Sequence, residues 1–284
     1  MSLTGRPFLK MHGLGNDFIV IDARTHPLEL TEAAVRAAAN RRSGPGCDQF
    51  ITLLPPTGGG TATMGIRNSD GGVVESCGNA ARCVGRLLLE ESGGDRVRID
   101  TLGGPIEAFR VPGKDLGEAI TVDMGPARLN WADLPLSGPV ETLELDLSVG
   151  PLSGPCAVSV GNPHAVFFVE DAEAVDLTTW GPQVEHHPLF PKRVNVEVIN
   201  RLDADHIRMR VWERGVGITQ ACGTGACAVL VAAVRRGLIT GREAVVELDG
   251  GPLHIAWRES DNRILMTGSA TLAYRGVLEE GGWQ

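Results

Sequence analysis

The most constraining feature of this chain is that it repeats itself at about half its length. The run MGIRNSDGGVVESCG, Met64 to Gly78, aligns without a gap on MRVWERGVGITQACG, Met209 to Gly223. Met64, Gly72, Cys77 and Gly78 fall on Met209, Gly217, Cys222 and Gly223. Other pairs follow in the same order at nearly the same spacing. Gly15-Asn16 matches Gly161-Asn162, Gln49 matches Asn195, and the turn Gly103-Gly104-Pro105 matches Gly250-Gly251-Pro252. Any one pair could arise by chance, but the ordered set argues for duplication of a unit. The period is domain-sized, which gives two similar lobes rather than a solenoid.

Each half reads as short strands, a Gly-rich turn ending in Cys-Gly, a helix, and further strands. A helix is predicted over Thr31 to Arg41 with Thr31 as its N-cap. AARCVGRLLLEES after Cys77 is predicted as a helix stopped by Gly93-Gly94. GACAVLVAAVRRG after Cys222 is predicted as a buried helix ending at Gly237. Many strands with few helices indicate an α+β fold. We expect two pseudo-symmetric domains, each a mostly antiparallel sheet wrapped around a central helix, with the active site in the interdomain cleft. The Pro- and Gly-rich stretch from Gly125 to Gly154 lies near mid-chain. The crossover is placed just before it, giving a lobe of 1–122 plus 269–284 that carries Cys77 and a lobe of 123–268 that carries Cys222.

Composition narrows the function. The formal charge of −9 and an aromatic content of 5% disfavour a nucleic-acid partner or an anionic membrane surface. The start, MSLTGRPFLKMHGLGNDF, has no apolar targeting core, and Ala226–Val234 is too short to span a bilayer, so a cytoplasmic location is expected. Six cysteines are too sparse for a disulfide scaffold, and four of them read as buried small hydrophobes.

The remaining two, Cys77 and Cys222, each precede a glycine and a helix. A helix N-terminus favours negative charge, which would lower a thiol toward neutrality and make it a usable acid or base. Two such thiols on opposite faces of one carbon could remove and return its proton with inversion. The two helix N-termini would bind the substrate carboxylate and stabilise the charge that develops. Neither a cofactor nor a metal is then needed. A structural zinc on Cys77, Cys83, Cys222 and Cys227 is disfavoured by spacing, and a redox pair by the lack of Cys-x-x-Cys. A two-lobed amino-acid-binding protein would leave the paired thiols unexplained.

At this point the motifs carry a family resemblance over nearly the whole chain. They are MHGLGNDF at 11–18, GCDQ at 46–49, RNSDG at 67–71, ESCGNAARC at 75–83, GNPH at 161–164, RVN at 193–195, ERG at 213–215 and ACGTGAC at 221–227. The chain resembles the diaminopimelate epimerases, PLP-independent enzymes of lysine and peptidoglycan-precursor synthesis. The resemblance implies epimerisation of LL-diaminopimelate to the meso form, with Cys77 and Cys222 as the acid/base pair and a homodimer as the assembly. It implies that Asn16, Gln49, Asn68, Asn162, Asn195, Glu213 and Arg214 line the substrate site, with Gly78-Asn79 and Gly223-Thr224 at the carboxylate. His164 and Glu213 are implied in support of a cysteine. The residue types suit a zwitterion with two charged ends. Arg214 offers a bidentate contact to a carboxylate, Glu213 accepts from an ammonium, and the amides both donate and accept. A racemase or epimerase of proline or hydroxyproline is the alternative, and it would leave Arg214 and the Asn set without a second charged end to bind. Three positions depart from the family pattern: Ala80 stands where Gly is usual, Ile218 where an acidic residue is common, and Cys47 is an extra thiol.

Overall fold

The computed structural model describes residues 3–110 and 119–279. Stretches 111–118 and 280–284 of the expected first lobe lie outside the described residues. Two compact units form, Met1–Val122 with Gly268–Gln284, and Asp123–Thr267.

The first unit runs β1 (Pro7–Gly13), β2 (Asn16–Asp22), α1 (Glu32–Ala39), β3 (Gln49–Leu54), β4 (Ala62–Asn68), β5 (Val73–Val74), α2 (Gly78–Ser92), β6 (Arg96–Asp100) and β7 (Ile106–Arg110), and β8 (Ala119–Pro126) leads out of it. A two-stranded ribbon of β9 (Ser148–Val149) and β10 (Leu152–Ser153) follows. The second unit repeats the order as β11 (Cys156–Ser159), β12 (Pro163–Phe168), α3 (Leu177–Glu185), β13 (Asn195–Asp203), β14 (His206–Glu213), β15 (Gly217–Ile218), α4 (Gly223–Arg235), β16 (Glu243–Leu248), β17 (Gly251–Trp257) and β18 (Arg263–Ser269). The last strand, β19 (Thr271–Val277), returns to pair antiparallel with β1.

Strand pairing repeats as faithfully as element order. β2 runs parallel to β3 with Phe18 opposite Gln49, and β12 parallel to β13 with His164 opposite Asn195. β3 pairs antiparallel with β4, and β13 with β14. Because β2 and β3 start where β4 ends, Asn16, Gln49 and Asn68 gather at one end of the sheet. The same logic gathers Asn162, Asn195 and Glu213 in the second unit. This α+β architecture agrees with the sequence expectation.

The two central helices carry much of the core. α4 is buried from Gly225 through Ala233, as a helix with no polar face must be. Its Val229, Leu230 and Val231 are fully covered, each contributing roughly 1.5–3 kcal/mol. α2 buries Asn79 through Gly85 with Leu88 and Leu89, and stops at Gly93 in the left-handed conformation (φ 67°). α1 begins as predicted, with Ala34 N–H donating to Thr31 Oγ1, but ends at Ala39, where Asn40 turns extended. α3 has no counterpart in the sequence reading, because Gly181 and Pro182 interrupt its pattern. Asp176 starts it by accepting from the N–H groups of Thr178 and Thr179. Gly181 is required there: a Cβ would lie 2.5 Å from Trp212 Cγ. No helix among the described residues is long and apolar enough to cross a membrane.

Gly85 tests the packing of α2. An alanine would gain about 1 kcal/mol of helix propensity, yet its Cβ would lie 2.5 Å from Ala108 Cβ. Gly85→Ala should therefore lower stability to urea by a net ~1–3 kcal/mol, and adding Ala108→Gly should restore part of the loss.

Candidate active site

Each of the two candidate cysteines is the N-cap of its unit's buried helix. Cys77 caps α2 with extended backbone (φ −148°, ψ 116°), and Cys222 caps α4 in nearly the same way (φ −117°, ψ 102°). In each unit a Gly-Gly-Pro turn holds the loop that leads to the cysteine. Gly103 N–H donates to Glu75 O at 2.9 Å, and Gly250 N–H to Gln220 O at 2.7 Å. The repeat of this turn in the sequence is thereby explained as an anchor for both cysteine loops.

In the first unit, Asn79 Nδ2 donates to Asn16 Oδ1 at 3.2 Å, and Asn16 Nδ2 donates to Asp48 Oδ2 at 3.1 Å. Asp48 is held by the Asp17 N–H and by Arg41, which also grips Asp17 at 2.6 Å. Lys10, itself buried, completes the cluster with a 2.5 Å ion pair to Asp17. Burial would raise the Asp17 carboxyl, but hydrogen bonds from Arg41 and Lys10 hold it well below the usual range. Gln49 Nε2 donates to Asn68 Oδ1 at 3.0 Å. Gln49 Oε1 is buried with no hydrogen-bond partner among the described residues, an acceptor suited to an ammonium.

In the second unit, Cys222 is 4% exposed. Gly225 N–H donates to its Sγ at 3.4 Å, and Thr224 Oγ1 lies 3.6 Å away. Asn162 Nδ2 donates to Thr224 Oγ1 at 3.2 Å, and its Oδ1 lies 3.0 Å from His164 Nε2. Glu213 accepts from Thr219 Oγ1. Burial pushes its carboxyl up, against the pull of that hydrogen bond. The Asn195 amide is engaged on both sides, with Nδ2 donating to Pro163 O at 3.0 Å and Oδ1 accepting from Arg214 N–H at 2.9 Å. It thus fixes the turn from which the exposed Arg214 side chain projects. Gly78 and Gly223 open the two helices.

The expectation of a thiol lowered by its helix terminus is reversed at Cys222. Burial first, then the charges of Glu213 and Glu197, push this thiol well above its ordinary range. The hydrogen bonds from Thr224 and Gly225 oppose the shift without overcoming it. Of the other cysteines, Cys47, Cys83, Cys156 and Cys227 are core residues, so five of the six are buried and Cys77 alone is half-exposed.

The diaminopimelate epimerase family model matches residues 8–130 and 156–273, covering both half-sites. The chain belongs to the diaminopimelate epimerase family. Its sequence is 55% identical over 277 residues to the diaminopimelate epimerase of Rhodospirillum centenum, covering 97% of this chain and 93% of that one. It is 50% identical to the diaminopimelate epimerase of Acidiphilium cryptum, covering 96% of each. Solved structures extend the likeness of fold alone. A hydroxyproline epimerase from Agrobacterium vitis aligns with a TM-score of 0.66 at 16% identity, over 99% of this chain and 96% of that one. A phenazine biosynthesis protein of the PhzF family from Bacillus anthracis aligns with a TM-score of 0.69 at 16% identity, over 95% and 98%.

The three departures from the diaminopimelate epimerase pattern leave the half-sites intact. Ala80 is fully buried inside α2. Ile218 pairs with Trp212 across the short β14–β15 ladder. Cys47 belongs to the apolar cluster under α1, where burial pushes its thiol up to about 12. Sequence reasoning missed the Asp48 cluster, Glu185 and Glu197. Glu185, on the unforeseen α3, braces the ERG turn by accepting from Trp212 Nε1 at 2.7 Å and Gly215 N–H at 2.9 Å. The available signal for Glu197 was a lone carboxylate inside the apolar run VNVEVI.

A raised thiol has a measurable consequence. Alkylation of Cys222 by iodoacetamide should stay slow at neutral pH and accelerate only above the ordinary thiol range of about 8.5. Glu213→Gln removes one of the anions that disfavour the thiolate, so it should move the onset to lower pH. Peptide mass mapping against pH distinguishes Cys222 from Cys77.

Proposed function

We propose that this protein interconverts LL- and meso-2,6-diaminopimelate by proton transfer between the substrate α-carbon and two thiols, Cys77 and Cys222. The observation that carries the reading is the repeated half-site, with a cysteine capping a buried helix in each unit. One sulfur, as thiolate, takes the α-proton and becomes a thiol. The electron pair left behind delocalises into the α-carboxylate. The other sulfur, as thiol, delivers its proton to the opposite face of the carbon and becomes the thiolate. The reaction is balanced without a redox partner, and the enzyme returns to its starting form by exchanging the roles of the two sulfurs. Burial and neighbouring carboxylates favour the protonated form of Cys222, which suits it to deliver a proton first.

First-turn N–H groups at Gly78-Asn79 and Gly223-Thr224 would bind the α-carboxylate and stabilise the enediolate-like charge. Asn16, Gln49, Asn68, Asn162, Asn195, Glu213 and Arg214 would bind the remote amino-acid end. Arg214 would pair with its carboxylate, while Gln49 Oε1 and Glu213 would accept from its ammonium. His164 acts behind Asn162. We further assign the reaction to the cytoplasm, and the working assembly to a homodimer, on family resemblance alone.

In heavy water, the wild-type protein acting on pure LL-diaminopimelate should introduce deuterium at the α-carbon. Cys77→Ala and Cys222→Ala should each lose at least ~10²-fold in epimerisation. Full activity in either variant would sink the two-thiol mechanism.

A further inference from the structure

Glu197 is a buried ionisable group that the proton transfer itself does not use. It lies in the middle of β13 and is 0% exposed. Its Oε1 lies 2.6 Å from His164 Nδ1, and its Oε2 is buried with no hydrogen-bond partner among the described residues. A carboxylate so placed loses its hydration, and one ring nitrogen is poor compensation.

The first unit shows that the fold does not demand this pair. In the parallel ladder of β2 and β3, the position of His164 is taken by Phe18 and that of Glu197 by Ile51. Both are fully buried core residues. The same backbone frame therefore closes around apolar side chains in one unit and around a histidine–carboxylate pair in the other. What distinguishes the second unit is the chain that the pair supports. Asn162 bonds to His164 on one side and to Thr224 on the other, and Thr224 lies beside Cys222. Glu197 also stands close to the thiol itself. A Cβ built on Gly225 would lie 2.9 Å from Glu197 Oε1 and 3.2 Å from Cys222 Sγ.

We propose that Glu197 is a positioning residue of the Cys222 half-site, fixing the His164 ring so that Asn162 and Thr224 stay oriented at the reactive thiol. Asn162 Oδ1 only accepts, so His164 Nε2–H donates to it, and the ring is held from its other side by the proton shared between Nδ1 and Glu197 Oε1. Glu197 does not touch substrate; it acts through the ring.

The inference rests on the epimerase reading and is tested separately from it. Glu197→Gln keeps the shape and an acceptor while removing the charge. It should lower kcat about 10- to 100-fold, as loss of an outer-sphere partner does, with KM within about twofold and an unchanged thermal midpoint. In wild-type protein, nitrogen-15 NMR should show the His164 Nδ1 proton downfield and slow to exchange. An unchanged kcat in Glu197→Gln, or a fall in kcat explained wholly by unfolded protein, overturns the proposal. If that variant does not fold, lack of the downfield proton in wild-type protein overturns it. Failure of the wild-type protein to exchange the α-hydrogen would instead remove the epimerase reading itself.

Discussion

Burial of a helix against the strands of its unit is the constraint on which both half-sites depend. α4 exposes almost nothing along its length, and α2 buries every residue from Asn79 to Gly85. A helix held in this way cannot slide, so its first turn is fixed relative to the strand ends around it. The cysteine at its N-cap inherits that fixity. So do the amides at the starts of β2, β3, β12 and β13, since parallel pairing sets their register. The placement of both candidate half-sites thus comes from packing many residues away, and for the proposed proton transfer small misplacements are costly in rate.

Duplication supplied two such frames, and divergence made them chemically unequal. Asn68 stands where the second unit has Glu213, Phe18 where it has His164, and Ile51 where it has Glu197. The orientation of the repeated amide differs too. Asn16 turns its oxygen to Asn79 and its NH2 to Asp48, whereas Asn162 turns its NH2 to Thr224 and its oxygen to His164. The first half-site therefore carries Asn68 and Ile51 with a surface-facing ion cluster behind Asn16. The second carries the acids Glu213 and Glu197, whose charges favour the protonated form of Cys222. A reaction that needs one thiolate and one thiol gains from that inequality.

Much of this was legible in the sequence because the signals were local or repeated. The Cys-Gly spacing, Thr31 as a cap and the unbroken apolar face of α4 each have a physical meaning that context does not overturn. α3 was hidden because Gly181 and Pro182 read as helix breakers. Gly181 is there to admit the Trp212 ring, a tertiary demand that no helical pattern encodes. The state of the Cys222 thiol was misread for a related reason. The helix terminus is a local feature, while burial and the carboxylates of Glu197 and Glu213 arrive from other strands. Asp48 and Glu185 likewise act on partners distant in sequence, so nothing beside them in the chain marked their roles.

The closing strand carries a consequence for how the chain is made. β1 completes its pairing with β19, and α2 binds the turn before β19 through Arg82 to Ser269 O and Arg86 to Ala270 O. On the ribosome, the second unit is contiguous and has all its strands before the first unit has its last one. The half-site that begins first in the chain is therefore finished last. Until residues 269–277 emerge, the helix behind Cys77 lacks two of its side-chain anchors and β1 carries an open edge. Non-local closure of this kind slows folding and exposes strand edges in the interval. The second unit, complete by then, requires no such wait.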